Sequence, residues 1–365
     1  MSNVFLGTLK DRLKMEEIRA ARDLRGRVAF IRYEREDGLC QEVEMIFEQW
    51  YRKDKSTAIL TTTNDQSYLI YYLLYQKGLR PRLIQEAEGF PPEDMDEFRY
   101  FFNVLRKSGE VRITDEMWEN AKALLAAHFQ KSEVLPQVLY TLDKFRESSP
   151  EGFVNDLSEF LREAKLSDFY RCDTGEICIS TIHKAKGHEY EDVFLVVSET
   201  AGDNQEKNRA IYVGMTRAKE CLYVITDHPA FGSLLGTFKE AGADVYKDAT
   251  EFSPPKEIMM ALSLKDIWLE FNGNTGGIHS GMPLIPVLQE EKLFFTDMQG
   301  KKVACASMKF LERMEAQRKK GYQPEKAVVN FVVWWKKDDE ERRVVLPRLV
   351  LKRDLSGDTG LDQKD

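Results

Sequence analysis

No run of the chain approaches the ~20 consecutive apolar residues that a membrane helix needs, and the charged, amphipathic first twenty residues hold no apolar segment of signal-peptide type. These absences predict a soluble, cytoplasmic protein with no membrane partner. Cysteine is scarce as well: the 5 cysteines are odd in number and include no C-x-x-C pair, which excludes a disulfide framework and a zinc site of ordinary spacing. The phosphate-loop pattern G-x-x-x-x-G-K-[ST] does not occur, and its nearest text, Gly300-Lys301-Lys302, lacks both the leading glycine and the following hydroxyl. No carboxylate cluster of metal-ligand spacing stands near the carboxy terminus, so a nuclease finds no support. Basic charge is short too, with 53 Lys and Arg against 61 Asp and Glu for a net charge of −8, which does not announce a nucleic-acid binder. The deficit is uneven: residues 301–353 hold fifteen basic and seven acidic side chains, +8, which leaves −16 for the rest. Only local patches, then, are suited to face phosphates.

The 365 residues are enough for two or three domains with sizeable cores. Residues 6–24 read as a helix, 26–33 (GRVAFIRY) as a strand, 40–50 as an amphipathic helix, 57–62 as a strand, 67–77 as a helix ended by Gly78, and 80–84 as a strand. Strands alternating with helices predict a parallel, doubly wound α/β sheet. At Pro91-Pro92 the strand signal stops, and four helical stretches follow near 93–107, 114–129, 133–146 and 152–164.

Two later stretches carry unusual polar residues. In residues 177–197 (ICISTIHKAKGHEYEDVFLVV), two apolar runs with β-branched residues, read as buried strands, enclose Thr181, His183, Lys186, Gly187 and Glu189. In residues 208–225 (NRAIYVGMTRAKECLYVI), Arg209, Ile211, Tyr212, Met215, Thr216 and Arg217 fall at helical spacing before a strand at 221–225. That spacing puts an arginine and a threonine together at a sheet edge. Polar clusters at strand ends are where open α/β sheets bind ligands. Taken singly, an arginine in a helix is a solvated charge, and a histidine beside a strand packs or caps.

Together the stretches resemble the last two signature motifs of the Rep/UvrD-type superfamily 1 DNA helicases, T-x-H-x-A-K-G-x-E-[FY] and R-x-x-Y-V-x-x-T-R-A. The matches are Thr181, His183, Ala185, Lys186, Gly187, Glu189 and Tyr190, then Arg209, Tyr212, Val213, Thr216, Arg217 and Ala218. Upstream, residues 58–67 (AILTTTNDQS) resemble the family's strand followed by [RT]-x-N-x-Q-S, with Asn64 at the asparagine. The resemblance, which covers roughly residues 25 to 230, implies a RecA-like parallel sheet with a helical insertion, followed by a small β-rich domain. Its parts would be 1–88 and 170–250 for the second RecA-like domain, 89–169 for a shortened insertion, 251–355 for the β-rich domain and 356–365 for a disordered tail.

The resemblance also implies half of a site. In the family ATP and Mg2+ lie between two RecA-like domains, the first of which carries the phosphate loop and the magnesium-binding carboxylates. By that analogy Arg217 is the arginine finger at the γ-phosphate, Glu189 accepts from the ribose hydroxyls and Gly187 belongs to the same nucleotide-binding loop. Thr181, His183, Asn64 and Lys186 are expected to face single-stranded DNA, although Lys186 and Tyr212 serve equally well as supports of the loop. The family's Q-N-Y-R segment is not recognisable, since Arg19, Arg22 and Arg25 do not match it. The expectation is the carboxy-terminal part of an ATP-dependent DNA helicase, with the first RecA-like domain as its partner and the magnesium ligands outside this chain. The alternative is a non-enzymatic adaptor that keeps the fold and binds nucleic acid or a partner through its β-domain.

The region beyond residue 227 carries no motif. A helix at 229–241 and a linker at 253–255 lead to expected strands at 266–271, 284–289, 292–296, 302–307, 327–335 and 342–351, with one basic helix at 308–321. Six short strands around a helix predict a small barrel or sandwich. Trp334, Trp335, Lys336 and Lys337 interleave aromatic and basic residues, either as a contact surface or as strand positions half in the core.

Overall fold

The computed structural model describes residues 26–33, 39–84, 89–165, 172, 174–198, 205–227, 229–240, 242–247, 254–337 and 340–354. The helix expected at 6–24 and the tail at 356–365 lie outside them. The chain divides into two compact units, Met1–Gln85 with Arg171–Pro255 and Glu86–Tyr170 with Lys256–Asp365. No described helix is long and apolar enough to cross a membrane.

The first unit is α/β. Its strands are β1 (Arg27–Arg32), β2 (Thr57–Thr61), β3 (Arg82–Leu83), β4 (Ile177–Thr181), β5 (Tyr190–Val197), β6 (Ala218–Thr226) and β7 (Asp244–Lys247), in the spatial order β3-β4-β2-β5-β6-β1-β7, and every pairing is parallel. Helices α1 (Leu39–Trp50) and α2 (Asn64–Gln76) connect the early strands. The central strands read as unbroken apolar runs because helices cover both faces, and β2 and β4 are buried at all five positions. On one face Val43, Ile46 and Phe47 of α1 and Ile70 and Leu74 of α2 pack on Ile59, Ile179, Phe194 and Val196. Helix α2 starts where Thr63, in an extended conformation, accepts the Gln66 N–H, and it stops at Gly78, whose φ of +78° suits glycine alone.

The second unit joins four helices to an antiparallel sheet. The helices are α3 (Asp96–Arg106), α4 (Asp115–His128), α5 (Leu135–Ser148) and α6 (Val154–Glu163), close to their expected positions. Phe98, Phe101, Leu105, Trp118, Leu125, Leu142, Phe145 and Leu157, all under 3% exposed, form their core. The sheet consists of β8 (Glu257–Ala261), β9 (Pro283–Gln289), β10 (Lys292–Thr296), β11 (Lys302–Cys305), β12 (Tyr322–Lys337) and β13 (Glu340–Arg353), in the order β11-β10-β9-β12-β13-β8. One six-stranded antiparallel sheet, its β11 edge bonded by Trp268 and Asn274, thus stands where strand count led to the expectation of a barrel or sandwich. Its centre is the long hairpin β12–β13, and helices α7 (Gln205–Met215) and α8 (Pro229–Glu240) of the first unit and α9 (Met308–Arg318) of the second complete the described elements.

Two expectations need correction here. Residues 266–271 are not a strand: Asp266 Oδ2 accepts from the Ser263 backbone N–H (3.0 Å) and hydroxyl (2.8 Å), which winds Leu264–Asp266 into a 3-10 turn and leaves only a single bridge, Ile267 to Ala306. Conversely β8 (EIMMA), with only one β-branched residue, is a strand because β13 supplies its ladder from Arg348 to Lys352.

Candidate nucleotide and nucleic-acid loops

The parallel register fixes which motif residues share an end of the sheet. Thr57 of β2 stands opposite Ile177 of β4 and Asp192 of β5, and Asp192 stands opposite Cys221 of β6, so these positions mark the amino-terminal ends. Thr61 and Thr181, paired to each other, mark the carboxy-terminal ends of β2 and β4. The segment from Ile182 to Glu189 therefore crosses from one end of the sheet to the other. It does so as tight turns, with Lys184 N bonded to Thr181 O (3.1 Å), Ala185 N to Ile182 O (3.2 Å) and His188 N to Ala185 O (3.1 Å), and it closes on Gly187 at φ +89°. Ile182 and Ala185 are buried while His183, Lys186 and Glu189 are exposed, so an inward apolar stripe anchors the crossing and its polar side faces outward.

At the carboxy-terminal end Asn64 opens α2, and its Oδ1 accepts from Lys184 Nζ at 2.9 Å, which ties the first motif to the second. Thr61 Oγ1 lies 2.6 Å from Ser67 Oγ, and Gln66 Nε2 donates to Ser198 Oγ at 2.6 Å, so three loops are laced together by neutral hydrogen bonds. His183 is exposed beside them, whereas Thr181 is only 8% exposed. Lys184 and Ser198 are contributions that motif reading missed. Lys184 occupies an unspecified position of its pattern and Ser198 lies outside both patterns, so no local signal marks either.

At the amino-terminal ends stands the arginine. Arg217 follows α7, whose Ile211 and Met215 are buried and whose Gly214 has no room for a side chain, since a Cβ there would lie 2.8 Å from Leu195 Cδ1. The half-buried guanidinium donates from Nε to Val213 O (2.9 Å), from one terminal nitrogen to His188 O (3.2 Å) and from the other to Thr216 Oγ1 (3.1 Å). The Tyr190 N–H returns a bond to Arg217 O at 2.9 Å, so arginine and crossing loop brace each other. Three of the five N–H donors of a guanidinium are thereby used and two remain for a ligand. Glu189, its side chain 58% exposed, meets Lys219 at 3.4 Å. Tyr190, buried directly after it, has its phenol pushed up in pKa by burial and stays neutral.

Structure thus brings Arg217, Thr216, Gly187 and Glu189 to one end and Thr181, His183, Asn64 and Lys184 to the other, with Lys186 on the crossing between them. Arg209 and Tyr212 stay on α7, exposed and half-buried respectively. Below the arginine, Arg52 Nε donates to buried Asp192 Oδ2 (2.7 Å), and Glu220 accepts from both Arg52 (2.9 Å) and Lys55 (2.9 Å). The pKa of Glu191 is held down first by the backbone N–H of Ser56 and also by Lys55. These charges satisfy one another, and the network holds the strand starts in register. Among the described residues no group of three or more His, Cys, Asp or Glu side chains stands together to hold a metal ion.

Residues 97–228 match the family model of the UvrD-like helicase C-terminal domain, a stretch that runs from α3 through the crossing loop and α7 to just past β6. The ATP-dependent DNA helicase srs2 of Schizosaccharomyces pombe is 27% identical over 219 residues, which takes in 55% of this chain and 23% of that relative. The chain therefore spans less than a quarter of the length of the curated relative it matches.

Proposed function

We propose that this chain, which carries the carboxy-terminal portion of a UvrD/Rep-type superfamily 1 helicase, supplies one wall of an ATP site and one loop of a single-stranded DNA track to an ATP-dependent DNA helicase. The observation that carries the reading is the short crossing from Ile182 to Glu189, one end braced on Arg217 and the other continuing β4 beside Asn64. A loop so tied at both ends links events at the two ends of the sheet.

In this mechanism ATP and Mg2+ are held chiefly by the partner, a first RecA-like domain. When the cleft closes, Arg217 presents its two unused N–H groups to the γ-phosphate. A guanidinium suits that role because it stays charged and offers a planar fork to phosphate oxygens. Its bonds to Val213, His188 and Thr216 fix it before ligand arrives, so little reorganisation accompanies the reaction. Glu189 is exposed enough to accept from ribose hydroxyls, and Gly187, with no atom within 4 Å of a would-be Cβ, lets a ligand approach the backbone. At the opposite end His183 and Asn64, with Lys186 on the crossing beside them, face single-stranded DNA, while Thr181, largely buried, contributes through the backbone and the position it gives His183. Closure and opening of the cleft then step this loop along the strand.

The test is complementation. This chain alone should hydrolyse almost no ATP, and a first RecA-like domain of the same family supplied in trans should restore DNA-stimulated hydrolysis. No restoration, with a stable complex formed, would turn the reading toward an adaptor that binds through its β-sheet.

A further inference from the structure

Trp334, read in sequence either as part of a contact surface or as a strand position half in the core, is tied into the second unit. Its indole N–H donates to Asp96 Oδ1 at 2.8 Å, and the Arg99 guanidinium lies 5.5 Å from its ring centre. Lys337 meets Glu270 at 3.7 Å. A different aromatic and basic set, absent from the sequence reading, stands at the β9–β10–β11 end of the same sheet.

The register puts Lys292 opposite Gln289, Phe294 opposite Val287 and Cys305, and Thr296 opposite Ile285 and Lys302. Side chains directly opposite share a face, so Ile285, Val287, Gln289 and Lys292 share one with Phe294, Thr296 and Cys305, the last three of them buried, and Lys302 reaches it past a register shift between Phe295 and Thr296. Trp268 joins it from the turn after Asp266, held by its backbone N–H on Cys305 O at 2.8 Å. Lys292 Nζ lies 4.5 Å from the Trp268 ring centre, and Lys302 Nζ lies 3.7 Å from that of Phe294 while donating to Gln289 Oε1 at 2.9 Å. Phe271 stands between the two rings, 6.3 Å from Trp268 and 5.7 Å from Phe294.

Three features of this surface point to a ligand. Trp268 is 41% exposed and Ile285 43%, far more than packing requires. Neither Lys292 nor Lys302 has a carboxylate partner among the described residues, although Lys326, Lys337 and Lys352 on neighbouring strands each have one. An open cleft of about 190 Å³ lies alongside, its lining including Trp268, Phe271, Asn272, Glu341, Arg342 and Arg343. That is below the ~300 Å³ at which enclosed small-ligand sites begin, and it fits a single ring laid at the rim. The only opposing charge on the hairpin is at its tip, where Glu290 and Glu291 make the turn at φ 49° and 60° and bound the surface on that side.

We propose that this face is a binding site for single-stranded nucleic acid, separate from the motif loops, in which Trp268 stacks a base and Lys292 and Lys302 meet the flanking phosphates. An exposed ring beside two ammonium groups without acidic partners matches the alternation of base and phosphate along a strand, and stacking is indifferent to which base is present. The site stands on the second unit alone and does not depend on the helicase reading.

The experiment titrates the full chain into a fluorescently labelled oligothymidylate of about sixteen nucleotides, the upper end of the span of a single binding fold, over a series of salt concentrations. Trp268→Ala should weaken binding roughly 5- to 150-fold, the stacking of one base, while Trp268→Phe retains most of it. Lys292→Gln with Lys302→Gln should reduce the slope of log affinity against log salt by about 1.4, two contacts at ~0.7 each. A variant at His183 should leave both effects in place, which separates this site from the motif loops. Unchanged affinity and salt slope in Trp268→Ala and in the double lysine variant would overturn the proposal, and so would capture of a protein by this face with oligonucleotide binding unaltered.

Discussion

The two units use their polar residues in opposite ways. At the motif loops of the parallel sheet, apart from the Arg52–Asp192–Glu220 network at the strand starts, polar atoms bond to one another through hydroxyl, amide and backbone groups: Thr61 with Ser67, Gln66 with Ser198, Lys184 with Asn64, Arg217 with three oxygens of its own neighbourhood. In the second unit charges on the face of the sheet are pinned by carboxylates from the helical segment, Asp96 at the start of α3 and Glu133 in the turn before α5. Arg343 donates to Asp96 at 2.6 Å and to Ile278 O at 2.6 Å, and Arg348 pairs with Glu133. The first arrangement leaves half-exposed donors at loop ends. The second consumes its donors in holding helices on a sheet. The nucleotide and DNA loops are expected from the former, and from the latter a rigid platform whose β9–β10–β11 end, where Lys292 and Lys302 meet no carboxylate among the described residues, stays open to a ligand.

The largest expected effects test the tightest packing in each unit. A Cβ at Gly26 would lie 2.2 Å from Glu220 O, and one at Gly273 would lie 2.2 Å from Val303 O; both partners are backbone and cannot swing away. Gly26→Ala and Gly273→Ala should each destabilise their own unit by at least the ~1–3 kcal/mol of ordinary overpacking, read by hydrogen exchange in that unit. Trp118→Ala should cost about 3–5 kcal/mol, the usual loss for a fully buried aromatic ring.

Next comes the staple. Asp96 accepts from both Trp334 and Arg343, whose side chain is 18% exposed, so Asp96→Ala strands a nearly buried guanidinium. The loss should be roughly 3 kcal/mol in chemical denaturation, and Asp96→Asn should recover only part of it. A comparably small stability change in Asp96→Ala and Lys219→Ala would erase the distinction between the units.

Beside Asp96, Glu97 is buried and its carboxyl is pushed up to about 7, mainly by burial and opposed by the Ser132 hydroxyl at 2.7 Å; Asp96 adds to the rise and Arg343 counters it. Because the folded-state pKa exceeds the unfolded value near 4.5, the folded form holds the extra proton between those values. Stability from this group is therefore fully present below pH ~4.5 and falls as pH rises toward 7, by at most about 1.4 kcal/mol per pH unit. Denaturation midpoints followed from pH 5 to pH 8 should show the fall in the native sequence and lose this component in Glu97→Gln. The smallest effect is expected at Lys219→Ala, where a half-exposed pair with Glu189 contributes less than ~1 kcal/mol.

What was legible in sequence follows the same division. The parallel sheet declares itself because each strand and its helix are neighbours in the chain: the runs at 57–61 and 177–181 have apolar centres and are buried throughout, and Thr63, Gly78 and Gly187 punctuate them where backbone geometry demands. The motif spacing also placed Arg217 next to Thr216. The second unit hides because its defining contacts join residues far apart, such as Met95 with Val333 and Asp96 with Arg343, which lie 247 positions from each other. No local period encodes such a pair. The Trp268 surface was missed for a related reason: a tryptophan and two lysines on three different segments share a face only after the hairpin register is set.

The central claim is that Arg217 completes an ATP site while the far end of its loop serves DNA. The direct measurement is ATP hydrolysis and single-stranded DNA binding, side by side, for native sequence and Arg217→Ala in the enzyme reconstituted with a first RecA-like domain. Hydrolysis should fall by about 10³ to 10⁵ while DNA affinity stays within a few-fold of native. Loss of DNA binding with hydrolysis retained would contradict the account.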